Sequence, residues 1–272
     1  MRTGKNPNAG KLDLDTLRKL FSVLYNELEE GGFFQEYFGY WCVDAGDVAG
    51  SLGSEIEAAM LFQIRKSGLW PIKEKINNYS EDDLFDVIEF LHDHSSKPLE
   101  GYYHQFSNCG YHYQTFNQEA GRAHFRNKVG PLLEEYGDGY ELSSQGEILE
   151  RAPVGIAPLL SADIPTTDKE ISERVTSAIA KFRRYRSSIQ DRRDSIRDLA
   201  GVLEYLRPSL RKVLKKGDES DLFNIVNNFG IRHHNQQQKT EYDQAIWLSW
   251  MFYCYLATIH AVLHMIKRSQ LA

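Results

Sequence analysis

Between Leu12 and Leu28 apolar residues return every three or four positions, at Leu14, Leu17, Leu20, Phe21, Leu24 and Leu28, until Gly31-Gly32 stops the pattern. That period predicts an amphipathic helix. Ser54 to Lys66, closed by Gly68 and Pro71, is a second helical stretch. Ser80 to His92 is a third, with Ser80 as N-cap, Glu81, Asp82 and Asp83 in the first turn, and a buried stripe of Leu84, Phe85, Val87, Ile88 and Leu91. Gln118 to Tyr136 reads as a fourth. The aromatic, Gly-rich stretch GGFFQEYFGYWCVDAG reads as loop packed onto a core. In GYELSSQGEIL, Gly139 to Leu149, two short extended runs flank a polar turn, so a small hairpin at most is expected.

The pattern changes at RAPVGIAPLLSADIPTTD, where Pro153, Pro158 and Pro165 interrupt both helix and sheet pairing. Three regions follow: an α-rich N-terminal domain over 1–150, a Pro-rich linker over 151–167, and a helical domain over 168–272. In the last, Thr167 or Asp168 caps a helix running to about Arg186. Another covers Asp191 to about Leu214, with Pro208 expected to kink it. A shorter one covers Glu219 to Asn228, and a long one Asp243 to about Lys267. The expected fold is mainly α, with a C-terminal four-helix bundle of about 100 residues, a size that folds alone.

Composition narrows the class. A chain of 272 residues with 42% apolar and 26% charged content is an ordinary globular protein. Cys42, Cys109 and Cys254 are far apart and odd in number, which argues against a disulfide framework and for a reducing compartment, the cytoplasm. The polar start MRTGKNPNAGKLDLD lacks the apolar stretch of a secretory signal and reads as a frayed tail. The net charge of −6 excludes a protein that coats nucleic acid with its whole surface. Twelve Lys and Arg stand against four acids between Lys181 and Lys216, however. This band is either a solvated helix face with internal ion pairs or a local attraction for a phosphate backbone.

Ala245 to Ile266 carries no formal charge over a membrane-spanning length. Ser249, Thr258, His260 and His264 interrupt it, and the expectation is a helix central to a bundle or shared with a dimer partner, not a membrane span. His260 and His264 share a helix face, but without a neighbouring carboxylate they read as core or interface histidines. In YYHQFSNCGYHY, His104, Cys109 and His112 are zinc-ligand types, with His92 and His94 upstream. Their spacing matches no zinc pattern, and the tyrosines and phenylalanines among them suit packing, so whether they hold a metal stays open and neither metal nor cofactor is expected. No Gly-rich phosphate loop or GxSxG elbow occurs.

The most reactive stretch is NNFGIRHHNQQQKTEYD, Asn227 to Asp243, between two predicted helices. It places Arg232 beside His233 and His234; an imidazole exchanges protons near neutrality, and a guanidinium holds a phosphate. With SAIAKFRRYRSSIQDRRDSIRDLAGVLEYLRP before it and the apolar helix after it, the region from about Asp168 to Lys267 resembles a HEPN domain. HEPN domains are helical bundles found in prokaryotic toxins, abortive-infection proteins and RNA-processing nucleases. The resemblance implies dimerisation that pairs two such turns, and, in active members, metal-independent RNA cleavage by an arginine, a following polar residue and a histidine. Here Asn228 matches the polar residue and His233 or His234 the histidine. Asn227 occupies the arginine position, and an amide brings no positive charge to a phosphate.

Two functions are therefore expected as alternatives. One is a noncatalytic HEPN-like module of a defence or toxin-type protein that binds RNA or a protein partner as a homodimer, with Asn227, Asn228 and Asn235 in a supporting polar turn. The other is an endoribonuclease using Arg232, His233 and His234 at a dimer cleft.

Overall fold

The first helix, α1 (Leu14–Glu30), starts where Asp13 accepts the Thr16 N–H at 2.8 Å, and it buries Leu17, Phe21, Leu24, Tyr25 and Leu28. The computed structural model describes residues 11–153, 155–213, 217 and 243–271. They fall into two units, 1–150 and 151–272. Both are mainly helical; the first also holds four small antiparallel sheets.

In the first unit, α2 (Gln35–Phe38) and α3 (Ile56–Ile64) are short, and α4 (Ile72–Lys75) leads into α5 (Glu81–Asp93). Ser80 is the N-cap of α5, as expected, and the structure adds a reciprocal capping box between Ser80 and Asp83. Leu84, Phe85, Val87, Ile88, Phe90 and Leu91 of α5 are all buried. Then α6 (Gln118–Glu135), capped by Asn117, packs against both α1 and α5 through Phe125, Val129 and Leu133. These helices make the core of the unit.

The expectation of a single hairpin needs correction. The predicted one is present, as β7 (Tyr140–Leu142) paired with β8 (Ile148–Glu150). Three further ladders accompany it among the described residues. β1 (Tyr40–Cys42) pairs with β2 (Gly46–Val48) inside the stretch read as loop. β3 (Lys97–Pro98) pairs with β6 (Phe116–Asn117), and nested between them β4 (Gly101–His104) pairs with β5 (Gly110–Tyr113). The Leu99 N–H to Thr115 and Gln114 N–H to Glu100 bonds, at 2.9 and 2.8 Å, join the two ladders into one ribbon from residue 97 to 117. Strands of two to four residues are too short to show a period of two.

Two contacts place this ribbon. At its base, Gly121 of α6 lies so close to Ser96 that a Cβ would come within 2.3 Å of the Ser96 Cα. Further along, the Gln35 amide donates to the Tyr111 carbonyl at 3.0 Å and accepts the Tyr113 N–H at 3.1 Å, as a neighbouring strand would. Gly39, at φ 78°, then turns the chain from α2 into β1, in the left-handed conformation that suits glycine. Cys42 is thereby delivered to the tip of the ribbon.

In the second unit, α7 (Ala157–Ser161) lies within the predicted linker. Leu160 is buried and Ile156 and Ile164 pack onto the helical core, so the three prolines interrupt a segment that nonetheless belongs to this unit. Asp168 caps α8 (Lys169–Arg183), and a Ser188–Asp191 capping box starts α9 (Ile189–Tyr205). A break at Leu206 separates α9 from α10 (Arg207–Val213) just before Pro208, which has no N–H to donate. Asp243 accepts the N–H groups of Ala245 and Ile246 at 3.0 and 3.2 Å and opens α11 (Gln244–Leu271).

One apolar core joins α8, α9 and α11, including Val175, Leu199, Leu203, Phe252, Leu256 and Ile259. Phe182 stacks on Phe252 with centroids 3.9 Å apart. α11 has the length and composition of a membrane span, and half of its most apolar window is buried. The predicted helix from Glu219 to Asn228 lies outside the described residues.

Candidate metal centre

At the tip of the ribbon, His104 ends β4, Cys109 closes the turn and His112 follows in β5. The turn is tight: Ser107 and Asn108 take positive φ values of 51° and 54°, Gly110 one of 101°. Tyr103 Oη holds the turn by donating to Asn108 Oδ1 at 2.5 Å. Cys42 arrives from β1. One donor atom from each of Cys42, His104, Cys109 and His112 lies within 4.8 Å of all the others.

The four donors form two mixed pairs. Cys42 Sγ lies 3.8 Å from His104 Nδ1, and Cys109 Sγ lies 3.3 Å from His112 Nε2. The far nitrogen of each ring is also engaged. His104 Nε2 faces Asp44 Oδ2 at 3.2 Å, and His112 Nδ1 faces the Tyr102 hydroxyl at 3.3 Å. The Val43 N–H donates to Cys109 Sγ at 3.4 Å. Each imidazole thus turns one nitrogen inward and has the other fixed from outside, the arrangement that sets tautomer and ring orientation in histidine metal ligands.

The surroundings are largely dry on one side. Cys42 and His112 are buried, and Tyr40 stacks on the His112 ring at 4.2 Å. Burial, followed by the charge of His104, holds the His112 pKa below the ordinary histidine value, which favours the neutral, lone-pair-bearing ring. Two thiols and two imidazoles are a donor set for tetrahedral coordination. The aromatic residues read as packing do pack, but they pack around this cluster.

Other sequence candidates separate. His92 is buried in α5, with Arg126 Nη1 3.1 Å from its Nε2, and His94 Nδ1 contacts the Phe90 carbonyl at 2.7 Å. Neither belongs to the four-residue cluster. His260 is buried whereas His264 is exposed, so the two do not converge on one enclosed position. Burial, and then the charge of His264, lowers the pKa of His260. Part of the basic band is neutralised locally, by Lys181 with Asp198 at 2.5 Å and Arg197 with Asp194. Arg192 sits over the Phe182 ring. Asn227, Asn228, Arg232, His233, His234 and Asn235 lie outside the described residues.

Fold and site together define a two-unit protein whose first unit converges a Cys2His2 cluster at the tip of a β-ribbon and whose second is a mainly helical packing among its described residues. No protein-family model, curated protein or solved structure matches the chain.

Proposed function

We propose that the second unit is a HEPN-like helical module of a prokaryotic defence or toxin-type protein, cytoplasmic and homodimeric, which binds RNA or a protein partner without cutting RNA. The observation that carries this reading is the packing of α8, α9 and α11 around one core, with Asp243 capping α11 directly after the Asn227 to Tyr242 stretch in sequence. A long apolar helix preceded by a polar, histidine-bearing turn is the arrangement that the resemblance implies. Catalysis is withheld because Asn227 stands in the arginine position; loss of a charged group that stabilises a transition state typically removes several kcal/mol.

The second reading, an endoribonuclease, is favoured by one feature: Arg232, His233 and His234 are consecutive. A guanidinium beside two imidazoles has the groups needed to hold a phosphate and move protons while a ribose hydroxyl attacks.

Total RNA incubated without divalent metal, with wild type and with the His233→Ala, His234→Ala double variant, separates the two. Intact RNA with salt-sensitive retention by the wild type supports the binding module. Fragments with cyclic phosphate ends, formed by the wild type and not by the double variant, establish the nuclease instead. Absence of both RNA retention and cleavage, with a monomer in solution, removes the HEPN-like assignment for RNA.

A further inference from the structure

We propose that Cys42, His104, Cys109 and His112 bind one Zn2+ in a closed tetrahedral site that fastens the β1–β2 hairpin to the tip of the β4–β5 ribbon. With Zn–N bonds of about 2.0–2.1 Å and Zn–S bonds of about 2.3 Å, tetrahedral ligands stand roughly 3.3–3.8 Å from one another. The two pairs at 3.3 and 3.8 Å already match this separation, and the full set within 4.8 Å closes on one ion by small side-chain movements. The inward nitrogens are defined: His104 coordinates through Nδ1 while its Nε2–H donates to Asp44, and His112 through Nε2 while its Nδ1–H donates to the Tyr102 hydroxyl.

The protons and charges balance. Binding releases the two thiol protons, both rings stay neutral, and Zn2+ with two thiolates leaves an uncharged centre, suited to a site in which Cys42 and His112 are buried. The Val43 N–H adds a donor to one thiolate. Four protein ligands leave no position for water or substrate, so the ion is structural. A dinuclear iron–sulfur centre with two cysteines on one iron and two histidines on the other would pair like with like. Here each close pair is one cysteine with one histidine. A Cys42–Cys109 disulfide, the remaining competitor, would use two of the four groups and leave the ordered imidazoles without a task.

The test uses the full chain, purified under reducing conditions without a polyhistidine tag, with elemental analysis and Co2+ substitution. The expected result is one zinc per chain and, with Co2+, the strong visible bands of tetrahedral S2N2 coordination with thiolate charge transfer. Cys42→Ser, Cys109→Ser and His112→Ala each lower zinc affinity by at least a hundredfold, while His264→Ala, at an exposed histidine outside the cluster, keeps one zinc. Because a ligand variant can fail to fold, His104→Cys supplies a second reading: it retains one metal ion and strengthens the thiolate-to-cobalt band. Reduced wild type that takes up neither ion, Co2+ bands of octahedral type, iron with sulfide, or a Cys42–Cys109 disulfide in freshly isolated protein overturns the proposal.

Discussion

Asp44 Oδ2 and His104 Nε2 lie 3.2 Å apart, although the two residues come from different hairpins. The carboxylate is exposed and faces the ring nitrogen that is turned away from Cys42, so its contribution is to orient the ring whose other nitrogen faces Cys42. Asp44→Ala is expected to lower zinc affinity by about 10- to 100-fold while stoichiometry at saturating metal stays at one, the usual effect of removing an outer partner of a ligating histidine. Competition against a chromophoric chelator measures it. Unchanged affinity means that His104 is oriented by its backbone alone.

A second prediction concerns acid. Burial raises the pKa of Asp83, but its ion pair with Lys66 and its hydrogen bonds to Ser80 outweigh that and hold it below the ordinary carboxylate value. Because the folded pKa is depressed, the stabilisation is fully present above the unfolded value of about 3.9. It is lost as pH falls through the lower folded value. Asp83→Asn should therefore melt earlier than wild type at neutral pH, and the gap should close below about pH 4. A gap that persists in acid assigns the effect to capping geometry, not charge.

The Phe182–Phe252 stack supplies a third. Both rings are buried, at 4% and 0% exposure, and their centroids are 3.9 Å apart. Phe182→Ala should destabilise the second unit by about 3–5 kcal/mol through lost transfer energy and an unfilled cavity. Denaturant titration of the full chain measures this; a loss under about 1 kcal/mol means that the surrounding side chains collapse into the space.

Two glycines should respond in opposite directions. At Gly121 a Cβ would meet Ser96 Cα at 2.3 Å and Lys97 N at 2.5 Å, both backbone, so Gly121→Ala must push the ribbon away from α6. Lower thermal stability and weaker zinc retention should appear together. Gly201, inside α9, has nothing within 4 Å of the equivalent position. Gly201→Ala is expected to stabilise by about 0.5–1 kcal/mol, since alanine loses less backbone freedom in a helix.

What could be read from the chain depended on the length over which a pattern repeats. The Leu17–Phe21–Leu24–Leu28 stripe and the Ser80–Asp83 cap are local signals, and they mark α1 and α5 to within a few residues. The break before Pro208 is equally local. By contrast, β1 carries only Tyr40, Trp41 and Cys42, too few positions for alternation, and disappears into an aromatic, Gly-rich stretch. His104, Cys109 and His112 were visible as zinc-ligand types. Their fourth member was not, because Cys42 is brought in by Gln35 bonding to β5 and by the turn at Gly39, contacts between segments far apart in sequence. Tyrosines around the three residues suggested packing, and a shell that packs around ligands gives the same sequence signal.

The separation of Cys42 from His104 also has a temporal meaning. Helices α3, α4 and α5 lie between them, so the centre cannot be completed until those helices and the ribbon's return strand have left the ribosome. A cross-link that closes about 60 residues is worth roughly 4 kcal/mol in chain entropy. Metal captured there secures the β1–β2 hairpin only after its later neighbours have been made, so zinc supply at the time of synthesis would govern how much of the new protein survives proteolysis.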